Sequence, residues 1–267
     1  MKIYQVDAFA SRPFAGNPAA VCLLTAKMRD RWMAGIATEM NLSETAFLIR
    51  EGNGFSLRWF TPAVEVNLCG HATLASAHIL WERGFIPKDE CPVFHTRSGD
   101  LKASLHGEWI ELDFPLLESK QINPPPGLKE ALGVETMLYV GESSVGYLIE
   151  LPDEEAVRAL RPDFAKLCAI GGFGFMVTSV SGDEGVDFIS RYFAPQEGIP
   201  EDPVTGSAHC CLGPYWMRKL GRSGLTAFQA SSRGGMVKVR VESERVFLRG
   251  QAVTVLEAEL MPAVLDD

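Results

Sequence analysis

Apolar positions along the chain follow two periods. Phe47-Leu48-Ile49, the glycine-containing turn Glu51-Gly52-Asn53-Gly54 and Phe55-Ser56-Leu57 predict a β-hairpin. Phe175-Met176-Val177, Gly182-Asp183-Glu184-Gly185 and Val186-Asp187-Phe188-Ile189 predict a second, built in the same order. Leu101-Lys102-Ala103-Ser104-Leu105 before His106-Gly107, and Val237-Lys238-Val239-Arg240-Val241 before Glu242-Ser243, read as further strands ending in turns. The other period is helical. Trp32, Met33, Ile36, Ala37 and Met40 fall on one face, and Asn41 offers a C-terminal cap. From Gly70, Leu74, Ala75, Ala77, Ile79, Leu80 and Trp81 cover nearly the whole circumference of a helix, so that helix must be enclosed. Its N-terminus is then where free backbone N–H groups can meet a ligand, and the helix dipole favours an anion there.

These elements repeat. Arg58-Trp59-Phe60-Thr61-Pro62 returns 133 positions later as Arg191-Tyr192-Phe193-Ala194-Pro195. Each copy leads to a glycine that opens an apolar run, Gly70-His71-Ala72-Thr73 in one case and Gly206-Ser207-Ala208-His209 in the other. A single five-residue match could arise by chance; the matching order around it favours duplication. The stiff stretch Ile122-Asn123-Pro124-Pro125-Pro126-Gly127 reads as a linker. The expected organisation is an N-terminal half over 1–118, joined by the C-terminal segment 253–267, and a C-terminal half over 119–252. The expected class is α+β, with a curved, mostly antiparallel sheet around a buried helix in each half.

Composition narrows the function. A net charge of -9 with scattered Lys and Arg argues against a nucleic-acid surface. The first residues have no basic stretch leading into an apolar run, and no segment reaches the ~18 apolar residues of a membrane span. A cytoplasmic protein without a membrane partner is therefore expected. Cys22, Cys69, Cys91, Cys168, Cys210 and Cys211 lack C-x-x-C spacing and read as reduced thiols, and the five His residues form no ligand-spaced pair, so no metal is expected. Gly171-Gly172-Phe173-Gly174 lacks the spacing and following helix of a dinucleotide site, and no phosphate-loop pattern occurs, so no organic cofactor is expected.

Four segments, in order, carry a resemblance: Gly16-Asn17-Pro18-Ala19-Ala20-Val21, Asn41-Leu42-Ser43-Glu44-Thr45-Ala46-Phe47, Cys69-Gly70-His71-Ala72-Thr73 and Glu201-Asp202-Pro203-Val204-Thr205-Gly206-Ser207-Ala208. Together they resemble the phenazine-biosynthesis-F-like family, whose fold is similar to that of diaminopimelate epimerase. The resemblance runs from Tyr4 to about Val255. It implies two barrel-like halves, each around a central helix, one site in the cleft between them, and a homodimer. It also implies that Glu44 is the acid/base that moves a proton, while His71, Asp202 and Ser207 place the substrate or assist. Asn17, Cys69, Gly70 and Gly206 are expected to line the same site.

The residues themselves leave alternatives open. On pattern alone, Glu44 reads as an exposed strand-edge carboxylate, and the motif around it reverses that reading. Ser207 could be a helix cap, His71 a hydrogen-bonded interior histidine, and Asp202 a turn residue before Pro203. Gly16-Asn17-Pro18 is a turn pattern. Cys69 precedes a helix N-terminus, a place that lowers a thiol pKa, yet it is equally a small buried filler. The mirrored segment carries Asp202-Pro203 and no cysteine, which disfavours a racemase with a thiol from each half. Cys210 and Cys211 fall inside the helix, where packing is their expected task. The expected function is an isomerase that moves a proton, and with it a double bond, on a small carboxylated metabolite. The alternatives are an amino-acid epimerase or racemase using Cys69, and a non-catalytic binding protein of the same fold.

Overall fold

The computed structural model describes residues 1–261. The chain divides into two compact units, one comprising Met1–Asp113 with the segment from Arg249 onward, the other Phe114–Leu248. The Pro-rich stretch 122–127 lies within the second unit.

The first unit runs β1 (Lys2–Ala8), β2 (Asn17–Leu24), α1 (Asp30–Met40), β3 (Glu44–Glu51), β4 (Gly54–Phe60), β5 (Glu65–Val66), α2 (Gly70–Glu82), β6 (Val93–Thr96), β7 (Gly99–His106) and β8 (Trp109–Pro115). Strand β2 pairs antiparallel with β1 and parallel with β3. Strand β4 pairs antiparallel with β3 and β5 and parallel with β6, and β7 pairs antiparallel with β6 and β8. The two parallel joints fall where a helix, α1 or α2, intervenes, because a helical crossover returns the chain in its original direction. Sequence periodicity does not report this strand direction.

Helix α1 lays Trp32, Met33, Ile36 and Ala37 on the sheet, where Trp32 meets the Phe47 ring edge-on at 6.1 Å and Phe47 meets Phe60 at 5.6 Å. It ends at Asn41, which adopts the left-handed conformation that a C-terminal cap requires. Helix α2 is enclosed, with Ala72, Leu74, Ala75, Ala77, Ile79 and Leu80 fully buried. Its buried hydroxyls bond back to the helix itself, Thr73 Oγ1 to the Cys69 carbonyl at 2.6 Å and Ser76 Oγ to the Ala72 carbonyl at 2.7 Å. They therefore impose no unsatisfied polar group on the core.

The second unit runs β9 (Lys120–Gln121), α3 (Leu128–Leu132), β10 (Tyr139–Ser143), β11 (Gly146–Glu150), α4 (Glu154–Ala159), α5 (Phe164–Ile170), β12 (Phe175–Val180), β13 (Phe188–Ala194), β14 (Ile199–Asp202), α6 (Gly206–Leu220), β15 (Gly224–Gln229), β16 (Gly235–Glu242) and β17 (Arg245–Gly250). The final strand, β18 (Ala252–Glu259), pairs antiparallel with β1 of the first unit. Strand β11 pairs antiparallel with β10 and parallel with β12; β13 pairs antiparallel with β12 and β14 and parallel with β15; β16 pairs antiparallel with β15. Each of these pairings repeats, in order and in sense, one in the first unit.

The duplication extends to single interactions. In the first unit Arg58 grips Glu65 with two hydrogen bonds of 2.7 Å and covers the Phe60 ring at 5.1 Å. In the second, Arg191 grips Glu201 at 2.7 and 2.9 Å and covers the Phe193 ring at 4.9 Å. Each pair fastens the strand before a central helix to the neighbouring strand.

Helix α6 contains Pro214, which has no N–H to give the Cys210 carbonyl four residues back. That carbonyl instead accepts from the Leu117 N–H at 3.1 Å, so the helix passes the proline with its backbone paired. Glycine at 213 lets β16 approach, since a Cβ there would lie 2.5 Å from Val239 Cγ1.

Candidate active site

In the first unit, the start of α2 faces the start of β3. Cys69 is the residue before the helix, in extended conformation, and its side chain does not cap the helix. The first N–H groups of α2 therefore lack a side-chain acceptor, the condition under which a helix end takes up an anion. The parallel pairing of β2 and β3 sets Ala19 opposite Glu44 and brings Asn17 near the strand end.

His71, the second residue of α2, is the hub. Its Nε2 lies 3.0 Å from Glu44 Oε2, and its Nδ1 lies 3.2 Å from the buried Asn17 amide nitrogen. Ser43 Oγ donates to Asn17 Oδ1 at 3.3 Å, which fixes the amide from behind. The Cys69 sulfur lies 3.6 Å from Nδ1 and 4.0 Å from Nε2. Only 7% of the His71 side chain and 13% of the Glu44 side chain reach the surface, so Glu44 is not the exposed strand-edge carboxylate that pattern alone would allow.

The electrostatics follow from this packing. Burial opposes a charged imidazole, but the neighbouring Cys69 sulfur and the Glu44 carboxylate outweigh it and hold the His71 pKa well above its usual range. Burial first, and then the Glu44 charge, push the Cys69 thiol up to about 11. The helix N-terminus alone predicts the opposite direction for this thiol; enclosure and a carboxylate neighbour overrule it.

In the second unit, the equivalent helix start has no such cluster. Thr205 stands where Cys69 stands, again without a side-chain cap. Thr205 Oγ1 donates to Asp202 Oδ2 at 2.5 Å. Gln229 Oε1 accepts from the Thr205 N–H at 2.9 Å, and Gln229 Nε2 donates to the Asp202 carbonyl at 2.7 Å. Ser207 is half-buried on the first turn of α6, and Gly206 opens the helix. Two residues on, His209 is buried, with Nδ1 on the Thr205 carbonyl at 2.8 Å, and burial lowers its pKa to about 4.

The structure thus gathers Asn17, Glu44, Cys69, Gly70 and His71 at one helix start, and Asp202, Gly206 and Ser207 at the other. Ser43 and Gln229 carry parts that the sequence did not show. Ser43 sits inside a recognised motif, but Gln229 lies on a distant strand with no local signal.

Comparison with known proteins places the chain in a family. The family model described as "Phenazine biosynthesis-like protein" matches residues 6–258. The chain belongs to that family. A protein of Halalkalibacterium halodurans described as an uncharacterized isomerase is 56% identical over 97% of this chain and 98% of its own. The crystal structure of a phenazine biosynthesis protein, PhzF family, from Enterococcus faecalis superposes with a TM-score of 0.93 at 41% identity, covering 97% of this chain and 98% of the other. At the level of fold alone, a probable proline racemase from Agrobacterium radiobacter matches with a TM-score of 0.68 at 10% identity, over 99% of this chain and 94% of the other. The fold is that of the diaminopimelate epimerase-like proteins, and the chain is an isomerase.

Proposed function

We propose that this isomerase moves a proton at a carbon atom of a small carboxylate-bearing substrate, shifting a double bond, with Glu44 as the acid and base. The observation that carries the reading is the Glu44 carboxylate oxygen, buried 3.0 Å from His71 Nε2 beside the uncapped start of α2. A carboxylate there can take a proton from carbon without diffusing through water. The free N–H groups of α2 and the imidazolium of His71 stabilise the anion that forms, because both are already oriented before the charge develops. Glu44 then returns the proton to another carbon. Asp202 and Ser207, at the equivalent helix start of the second unit, are assigned a part in placing substrate.

An epimerase working through the Cys69 thiolate is the weaker reading, since a thiol pushed up to about 11 supplies little thiolate near neutrality. The test is a screen of carboxylated metabolites for enzyme-dependent gain of deuterium at carbon in heavy water. With a responding substrate, Glu44→Gln should lower the rate by the roughly 10²–10⁴ typical of general acid/base catalysis, and Cys69→Ala should cost little. A folded Glu44→Gln variant with undiminished exchange would refute the assignment; a dead but folded Cys69→Ala variant would transfer it to the thiol.

A further inference from the structure

We propose that Glu44, Cys69 and His71 also form a binding site for a zinc-like divalent cation, and that the bound cation switches the isomerase off. The second half of this statement rests on the function proposed above; the first does not.

The three side chains are the types that zinc selects: one thiolate sulfur, one imidazole nitrogen and one carboxylate oxygen. One ligand atom from each lies within 4.8 Å of the other two. His71 Nε2 stands 3.0 Å from Glu44 Oε2 and 4.0 Å from the Cys69 sulfur. The ligand distances of tetrahedral zinc place neighbouring ligand atoms roughly 3.3–3.6 Å apart. Side-chain adjustments of about 1 Å, closing the widest separation of at most 4.8 Å, therefore convert the cluster into three corners of a tetrahedron, with the fourth left for water.

Two further features point to a ligand. Glu44 Oε2 is buried and makes no hydrogen bond of acceptable geometry, although Nε2 is close. Its close partner, the His71 Nε2 at 3.0 Å, is poorly aligned, and a cation at the centre of the cluster would satisfy the oxygen better. His71 also has the outer support of a metal-binding histidine: the ring nitrogen that faces away from Glu44 is held by the Asn17 amide, itself held by Ser43. Turning that amide presents Oδ1 to Nδ1–H and frees Nε2 as the ligand, while the Ser43 hydroxyl can donate or accept as required. On binding, the Cys69 thiol proton passes to solvent and the cation takes its place. Hard cations such as magnesium, which seek oxygen ligands, are not favoured by this set. In the loaded state the Glu44 carboxylate is tied to the cation and cannot accept a proton from carbon.

The test uses full-length protein stripped with a chelator and titrated with zinc against a chromophoric competitor. One equivalent should bind, and cobalt(II) in its place should give the tetrahedral visible bands together with a thiolate charge-transfer band. Cys69→Ala should weaken binding by at least about 100-fold, the upper end of what even outer-sphere changes cost, and abolish the charge-transfer band. Cys69→Ser, nearly the same size, repeats the test if the alanine variant does not fold. Replacing the exposed thiols Cys91 and Cys168 by Ser should leave the stoichiometry unchanged. Absence of competition, equal affinity in wild type and Cys69 variants, or loss of binding in the Cys91/Cys168 variant would each overturn the site. One-equivalent binding with proton exchange intact would leave the metal site standing and overturn the assignment of proton transfer to Glu44.

Discussion

The two units start from one topology and place different chemistry at the same point. At the head of α2, Cys69 and His71 meet Glu44 from β3, and the group is charged, buried and coupled. At the head of α6, Thr205 and Ser207 replace them. By the register of β3 with β4 and of β12 with β13, the counterpart of Thr45 is Phe175, so the counterpart of Glu44 is Gly174. A side chain there would have to displace Tyr192: a Cβ on Gly174 would lie 2.2 Å from the Tyr192 hydroxyl. What both units keep is the uncapped helix start and the Arg–Glu clamp before it. The uncapped helix start and its clamp are thus common to both units, whereas the acid/base role proposed for Glu44 has no counterpart in the second.

The clamps give the largest expected effect on stability. Arg191 is nearly enclosed; besides Glu201 it donates to the Leu160 carbonyl at 2.9 Å and the Val157 carbonyl at 3.3 Å. Arg191→Met leaves the partly buried Glu201 carboxylate without its partner, and should cost about 3–5 kcal/mol. Arg58, more open to solvent, shares Glu65 with Arg97, and Arg58→Met should cost about 1–2 kcal/mol. Urea unfolding of the two variants side by side measures the contrast; equal losses would show that the clamps are not differently buried.

Next in size is the response of the two buried histidines to pH. His71 has its folded pKa raised, so its contribution to stability is complete below the ordinary histidine value of about 6.5 and is lost as pH rises through the folded value. For His209, lowered to about 4, the unfolded chain binds the extra proton, so stability falls as pH drops from about 6.5 towards 4. Histidine NMR should show the His71 imidazole titrating above the ordinary range and moving down in Glu44→Gln, because one of the two groups that oppose the effect of burial is lost. His209 should not respond to that substitution. An unmoved His71 would break the coupling claimed for the first unit.

The smallest expected effect concerns Cys69. Its thiol, held protonated, should react with a small alkylating agent far more slowly than those of Cys91 and Cys168, which are exposed. Peptide mapping after timed labelling tests this; preferential labelling of Cys69 would signal a thiolate and favour the epimerase reading.

Much of this was legible in the sequence. The hairpins, the enclosed helix after Gly70 and the capped helix ending at Asn41 follow from local periodicity and turn residues, and the Arg58/Arg191 echo exposed the duplication. The partners of those arginines were not legible, because Glu65 lies 7 residues on and Glu201 10 residues on. Glu44 and His71 are adjacent only through the packing of a strand against a helix start, so no spacing rule joins them. The sequence left the Cys69 thiol open between a helix-end thiolate and a buried filler, because local sequence reports the helix end, while enclosure and the Glu44 charge come from the tertiary fold. Pro214 is tolerated within α6 for a similar reason, since the N–H that serves the vacated carbonyl comes from Leu117.

The contrast between the two helix starts is tested most directly by the rate of solvent deuterium entering carbon of a responding substrate, measured for Glu44→Gln and Ser207→Ala together. The account expects the Glu44 variant to lose roughly 10²–10⁴ in rate. Under the proposed function the Ser207 variant should lose about tenfold, the worth of one hydrogen bond to substrate. Full exchange in a folded Glu44→Gln protein, with the larger loss in Ser207→Ala, would contradict it.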